Sequence, residues 1–572
     1  MTRTKHSPHH CNLRVECVKL IMAEDTETPM LLVRAVEGAI DYKGHQASRS
    51  NTGRWRSASF IIGAEIAERF AYYGISSNLV TYLTGSLAQS TAAAATNVNT
   101  WCATALLLPL FGAWVADSFL GRYSTIVMAS LLYILGLGLL TFSALLPSLM
   151  DGFDSQTSAF TKALFFFSLY LVAVAEGGHK PCTQAFGADQ FDGQDPEESK
   201  SKSSFFNWWY FGISAGATAT VMILSYIQDN LSWALGFGIP CIVMIIALVV
   251  FLAGTKTYRY SIGKNEKGPF VRISSVFVAA FRNRQKTCPL DCHGFLSKQS
   301  YEQFKFLNKA MVGPNDHDCV CSIAEIEETK AILRLVPIWS TCLVYGIVCA
   351  QISTLYILQG ATMDRTIVSS FKIPPASLQC FMFISIIVIL PVYDRIFVPI
   401  ARSLTTNPSG ITMLQRIGTG ILLSAISTIV AALVEMKRLT VAKEYELVDK
   451  PSVTVPMSVW WLVPQYLIFG LADVFTLVGL QEFFYDQVPL ELRSIGLALY
   501  LSVTGIGHFF SGILISVIDN ATSRDERDSW FSNNLNRAHL DYFYWLISGV
   551  SLIGFVTFLH FAKSYIYSRN VV

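Results

Sequence analysis

The chain has 572 residues, of which 52% are hydrophobic and only 15% charged, and its mean hydropathy is +0.42. That balance excludes an ordinary soluble domain, and a formal net charge of +2 leaves no field to draw in nucleic acid or an acidic partner. Most of the chain belongs in lipid, so the placement of charge carries more information than its sum.

The first segment, 1–57, begins polar and holds no apolar core long enough for a cleaved signal, so it is expected to stay in the cytosol as a tail. Within it Glu27-Thr-Pro-Met-Leu-Leu32 matches an acidic dileucine sorting pattern, with Glu27, Leu31 and Leu32 as its positions. The expected address is the vacuolar membrane ahead of the plasma membrane.

A membrane-spanning helix needs roughly twenty mostly apolar residues. Twelve segments qualify: 59–84, 98–117, 123–146, 161–181, 205–227, 233–254, 331–357, 376–398, 412–435, 459–482, 495–518 and 541–565. The expected fold is an all-α membrane protein with about 12 transmembrane helices in two six-helix bundles, 58–254 and 331–566. Between them, 255–330 carries about a dozen Lys and Arg, which by the positive-inside rule makes it a cytosolic loop and puts both chain ends, including 567–572, on that side. Two glycosylation sequons, at Asn230 and Asn520, then fall on the opposite side. Asp117 ends the second segment and Asp394 the eighth, each with an arginine close behind, as a duplicated unit would have.

Among the twelve cysteines, Cys102, Cys182, Cys241, Cys342, Cys349 and Cys380 lie in apolar segments and read as small buried hydrophobes. Cys288, Cys292, Cys319 and Cys321 sit in the central loop with His293 and His317, at spacings that match no common zinc module. No metal and no other cofactor is expected. The chain also has no His-Glu-x-x-His, Gly-x-Ser-x-Gly or P-loop pattern, so an enzyme is not expected either.

The informative residues are charges inside apolar segments, each of which needs a partner, an aqueous cavity or a function. Glu65, Glu68 and Arg69 are spaced i, i+3, i+4 on one face of the first helix, and Tyr72 and Tyr73 continue it. The fourth segment adds Glu176, His179 and Lys180 within Ala175-Glu-Gly-Gly-His-Lys-Pro181, where two glycines and a proline are expected to interrupt the helix beside a cavity. Asp473 is the acidic residue inside the tenth segment, while His508 and Glu435 read as structural or interfacial.

Glu65-Ile-Ala-Glu-Arg-Phe-Ala-Tyr-Tyr-Gly74 resembles the Glu-x-x-Glu-Arg signature of the proton-dependent oligopeptide transporter family, a branch of the major facilitator superfamily. Gly112-Ala-Trp-Val-Ala-Asp-Ser-Phe-Leu-Gly-Arg122 looks like the same family's turn between spans two and three. Phe186-Gly-Ala-Asp-Gln-Phe-Asp192, Phe205-Phe-Asn-Trp-Trp-Tyr-Phe211 and Gln481-Glu-Phe-Phe-Tyr-Asp-Gln487 are similar to its plant nitrate and peptide transporter members. The resemblance covers roughly residues 30–565.

The resemblance implies a major facilitator fold working by alternating access, with proton coupling at Glu65, Glu68, Arg69 and Lys180 and substrate binding at Tyr72, Tyr73, Lys180, Cys349 and Asp473. Asp473 stands where most members have glutamate, and Cys349 where plant nitrate binding uses a histidine. Ser76 and Ser214 replace an arginine and an asparagine of peptide-transporting members. Thr125 occupies a place that is phosphorylated in a plant relative. The function implied is a proton-coupled symporter of small polar solutes, nitrate slightly ahead of di- and tripeptides. Its partners are that solute, protons and the bilayer, with no nucleic acid. A solute sensor with little transport, or a transporter of another small organic anion or metabolite, remains open at this point.

Overall fold

The computed structural model describes residues 35–149, 155–192, 195–261, 269–285, 304–311, 321–368, 371–405, 411–488, 493–523 and 529–565. Among them eleven helices are long and apolar enough to cross a membrane. With no water in hydrocarbon to serve the backbone, helices satisfy every N–H and C=O internally, which is why the apolar runs fold this way.

In chain order the long helices of the first half are α1 (Arg54–Ser76), α2 (Thr91–Val115), α3 (Arg122–Leu149), α4 (Ser155–Ala188), α5 (Pro196–Asn230) and α6 (Trp233–Ala253). Those of the second half are α7 (Ile323–Ile352), α8 (Pro375–Leu404), α9 (Met413–Glu444), α10 (Val463–Asp486), α11 (Arg493–Thr522) and α12 (Leu540–Ser564). The helix left out of the eleven is α1, whose charged residues lower its hydropathy although it is 23 residues long.

The two halves repeat one packing scheme. α1 packs on α5 and α6 as α7 packs on α11 and α12, and the pair α3–α4 is matched by α9–α10. The halves meet through α2 against α11 and α5 against α8, which exchange under the same repeat. Local breaks repeat too. α1 gives way after Ser77 and Asn78 to a seven-residue helix, Leu79–Gly85, and α7 after Ser353 and Thr354 to Leu355–Ala361. Asp117 and Asp394 each fall in a five-residue π turn, Ala116–Leu120 and Tyr393–Phe397.

Hydrogen bonds between the halves lie toward the face where α1 ends and α2 begins. Thr91 N–H donates to Asn533 Oδ1 at 3.0 Å, Asn99 Nδ2 to Ser511 Oγ at 3.2 Å, and Gln379 Nε2 to the Ser77 carbonyl at 2.8 Å. On the opposite face, where α1 begins and α6 ends, β1 (Ala35–Ile40) pairs with β2 (Gln46–Ser48) and with β3 (Tyr260–Ser261). There Glu198 receives hydrogen bonds from Arg259 Nη1 at 2.6 Å, the Asp192 amide at 2.7 Å and Arg54 Nε at 2.8 Å. Burial pushes the Glu198 carboxyl up, but these donors more than offset it and hold it at about 2. The stretch read as loop contains a further helix, Pro269–Arg282, whose Val276, Ala279 and Ala280 pack against Ile326 at the start of α7.

The expected interruption of α4 does not occur. The helix runs unbroken through Gly177, Gly178 and Pro181, and the glycines serve close packing. Proline has no N–H to donate to the carbonyl four residues back, here that of Gly177. That carbonyl faces Gly112 on α2 so closely that a Cβ at 112 would lie 2.0 Å from it. Gly112→Ala is therefore expected to abolish a monodisperse peak in detergent size-exclusion chromatography, because backbone must move to admit the methyl group. Gly138→Ala on α3, which meets nothing within 4 Å, should elute like the parent protein. Equal profiles for the two variants would contradict the contact.

Candidate substrate and proton site

The i, i+3, i+4 spacing turns Glu65, Glu68 and Arg69 of α1 toward α4, and all three are buried. Arg69 Nη2 lies 2.6 Å from Glu68 Oε2, and its Nε donates to Glu65 Oε1 at 3.2 Å. From α4, Glu176 places Oε1 3.7 Å from Arg69 Nη2 and 3.6 Å from Lys180 Nζ. Tyr133 of α3 closes the group, its hydroxyl donating to Glu68 Oε1 at 3.4 Å.

Three carboxylates thus face two cations, and the fully ionised cluster carries one excess negative charge. In a membrane interior such an excess is costly, and one bound proton removes it. Of the five residues Lys180 is the most accessible, with 21% of its side chain exposed against 5% or less for the other four. Its Nζ lies 5.8 Å from the centre of the Tyr72 ring, which also receives Arg69 at 5.6 Å and stacks on Trp101 at 5.6 Å.

The second half contributes Asp473, half-buried on α10, with Tyr345 of α7 donating its hydroxyl to Asp473 Oδ1. Tyr73 is within electrostatic reach of both Asp473 and Cys349 and sets its ring edge-on to Phe383 of α8 at 5.1 Å. The structure therefore brings the expected residues of α1, α4, α7 and α10 to one region, with Tyr73 spanning the halves. Sequence reading did not single out Tyr133, Trp101 or Tyr345. Each is an aromatic residue in an apolar run and nothing local distinguishes it from core. Glu176 and His179 were visible in the α4 motif, but their partners depend on how α4 meets α1.

A profile of the POT family matches residues 123–531. A relative from Arabidopsis thaliana, Protein NRT1/ PTR FAMILY 5.10, is 60% identical over 555 residues, covering 96% of this chain and 98% of its own. The chain belongs to the POT family. A further Arabidopsis thaliana relative, Protein NRT1/ PTR FAMILY 5.14, is 57% identical over 540 residues, covering 93% of this chain and 97% of its own. Solved POT-family structures share the fold. An auto-inhibited POT family peptide transporter matches with a TM-score of 0.70 at 21% identity, covering 90% of this chain and 98% of that one. A peptide transporter POT in complex with sulfate matches with a TM-score of 0.65 at 17% identity, over 90% and 97%. The protein is a multi-pass membrane transporter of this plant NRT1/PTR branch.

In this POT-family chain Thr125 is buried near the start of α3, its hydroxyl bonded to the Gly121 carbonyl at 2.9 Å and its methyl facing Gly178 of α4. A kinase reaches it only if α3 and α4 part. Glu27, Leu31 and Leu32 lie outside the described residues, as do Cys288, Cys292, Cys319, His293 and His317, whereas Cys321 is buried in the cluster under Pro269–Arg282. His508 is buried and hydrogen-bonded through Nδ1 to the Thr504 carbonyl at 2.9 Å, a core role. Glu435 is fully buried against Arg438 rather than interfacial.

Proposed function

We propose that this POT-family transporter is a proton-coupled symporter of small polar solutes, with nitrate ahead of di- and tripeptides. The observation that carries the reading is the charge count: three buried carboxylates against Arg69 and the partly exposed Lys180. An anionic solute at Lys180 competes with Glu176 for the ammonium, which strengthens the excess negative charge left in the cluster and favours a bound proton. Solute and proton then bind together by reciprocal coupling. Alternating access rocks one six-helix bundle against the other, so both cross as a pair. Glu65, Glu68, Arg69 and Lys180 serve proton coupling, and Tyr72, Tyr73, Lys180, Cys349 and Asp473 contact the solute.

A peptide carries both an anionic and a cationic end, and Asp473 in the opposite half offers an acid for the second. This supports the di- and tripeptide reading as the alternative. Uptake into liposomes containing the purified protein, under an imposed pH gradient, compares nitrate, dipeptides and other small anions directly. A bound solute that never enters would instead support a sensor.

Asp473→Asn keeps the size of the side chain and its bond to Tyr345 but removes the charge. It is expected to weaken the affinity for dipeptides by roughly tenfold or more, as the loss of a charge-assisted hydrogen bond implies, and to alter the ranking of solutes. Wild-type affinity for every solute would remove Asp473 from the site. For the address, the vacuolar membrane is proposed from the dileucine pattern. Leu31→Ala with Leu32→Ala in a fluorescent fusion should move the protein off that membrane, and an unchanged distribution would dismiss the motif.

A further inference from the structure

His179 of α4 belongs to the same buried group, yet the coupling scheme above leaves it idle. Its side chain is 1% exposed, and a ring nitrogen, a Glu65 oxygen and a Glu68 oxygen all lie within 4.8 Å of one another. Glu176, His179, Lys180 and Thr183 follow at i, i+3, i+4 and i+7, so one face of α4 presents the imidazole between the two ionisable residues that meet α1.

Hydrogen bonds assign its tautomer. Thr183 Oγ1 donates its single proton to the His179 carbonyl at 2.7 Å and therefore accepts at its other contact, 3.1 Å from His179 Nδ1. Nδ1 carries the hydrogen and Nε2 is the basic nitrogen. A buried imidazole beside two carboxylates also offers donors for a metal ion, but Arg69 already occupies Glu65 and Glu68, and a dication there would face a guanidinium.

We propose that His179 is a second proton-accepting residue of the transport cycle, taking up at Nε2 the proton carried by Glu65 or Glu68. This rests on the proton-coupled reading above. In the transfer the carboxyl O–H bond breaks and an Nε2–H bond forms, leaving a carboxylate and an imidazolium. Three carboxylates then face three cations, Arg69, Lys180 and His179, and the cluster is neutral without any neutral carboxyl. The groups facing the imidazole are Glu65, Glu68 and Arg69 from α1, Glu176 and Lys180 from its own helix, and, beyond Glu68, Tyr133 from α3. Arg69 repels the imidazolium, so the proton is held transiently and returns when Lys180 regains Glu176.

The test uses the purified full-length protein in liposomes. His179→Asn keeps an N–H donor for Thr183 but cannot titrate, and His179→Gln serves as a second variant should the first fold poorly. The expected result is solute exchange without a gradient within about twofold of the parent, with the pH midpoint of gradient-driven uptake moved by about one unit or more. A parent-like pH profile in a variant that exchanges solute overturns the proposal, as does a variant that loses exchange and pH response in equal measure, the mark of a packing role. If the parent protein itself shows no pH dependence, the proton-coupled reading falls first and this proposal with it.

Discussion

Glu68→Gln is expected to abolish accumulation of solute driven by a pH gradient while leaving exchange of solute across the membrane largely intact. Glu68 is fully buried, and its partners are Arg69 at 2.6 Å and the Tyr133 hydroxyl at 3.4 Å. An amide keeps the shape, its oxygen able to face Arg69 and its NH2 able to donate to the Tyr133 hydroxyl oxygen, but it cannot gain or lose a proton. It also brings the cluster to two carboxylates and two cations, so the permanently neutral state no longer responds to the gradient. Rocking of the bundles needs no net proton movement when solute returns on the carrier, which is why exchange survives. Initial rates in liposomes check this: a fall of at least about tenfold in accumulation, with exchange within a few-fold, is the expected pattern for loss of a proton-transfer group. Poor expression and loss of both activities would mark a static brace.

The second large effect concerns stability. Arg438 and Glu435 are fully buried on α9, with Arg438 Nη2 donating to Glu435 Oε1 at 2.6 Å and Nε to Oε2 at 2.8 Å. The same guanidinium reaches Asn536 Oδ1 at 2.8 Å, the Leu535 carbonyl at 2.7 Å and Thr362 Oγ1 at 3.2 Å. It therefore ties α9 to the chain after α7 and to the connection before α12. Arg438→Met strands the Glu435 carboxylate, and removing one partner of a buried pair costs about 3–5 kcal/mol. Thermal unfolding in detergent should show a large drop in melting temperature. The double change Glu435→Gln with Arg438→Met should recover part of it, because no ion is then left unpaired. A single variant as stable as the parent would contradict the arrangement.

The fold was readable where apolar length alone decides the outcome. Spans two to twelve follow from runs that exceed the bilayer thickness, and the doubling of six helices follows from their grouping. α1 was readable for the opposite reason, since its charges at helical spacing cannot face lipid. Packing hid the rest. The Gly-Gly-His-Lys-Pro stretch reads locally as a broken helix, yet α2 and α3 press against Gly177 and Gly178 and hold it straight. The breaks after Ser77 and Ser353 lie in runs that stay apolar on both sides, so hydropathy passes over them. The helix Pro269–Arg282 was read as loop because it lies inside a polar stretch rich in Lys and Arg and is too short to cross a bilayer, although its own apolar residues recur at helical spacing. His179 was visible as a residue. Its role depends on Thr183 fixing the tautomer and on α1 bringing two carboxylates, which no spacing within α4 reports.

Coupling between solute and proton shows itself as a change of internal pH when solute alone drives transport. Liposomes containing the purified protein and a pH-sensitive dye are given an inward solute gradient with no pH difference imposed. With coupling, the lumen acidifies as solute enters, and Glu68→Gln abolishes the acidification. Entry of solute with the internal pH unchanged would contradict the coupling.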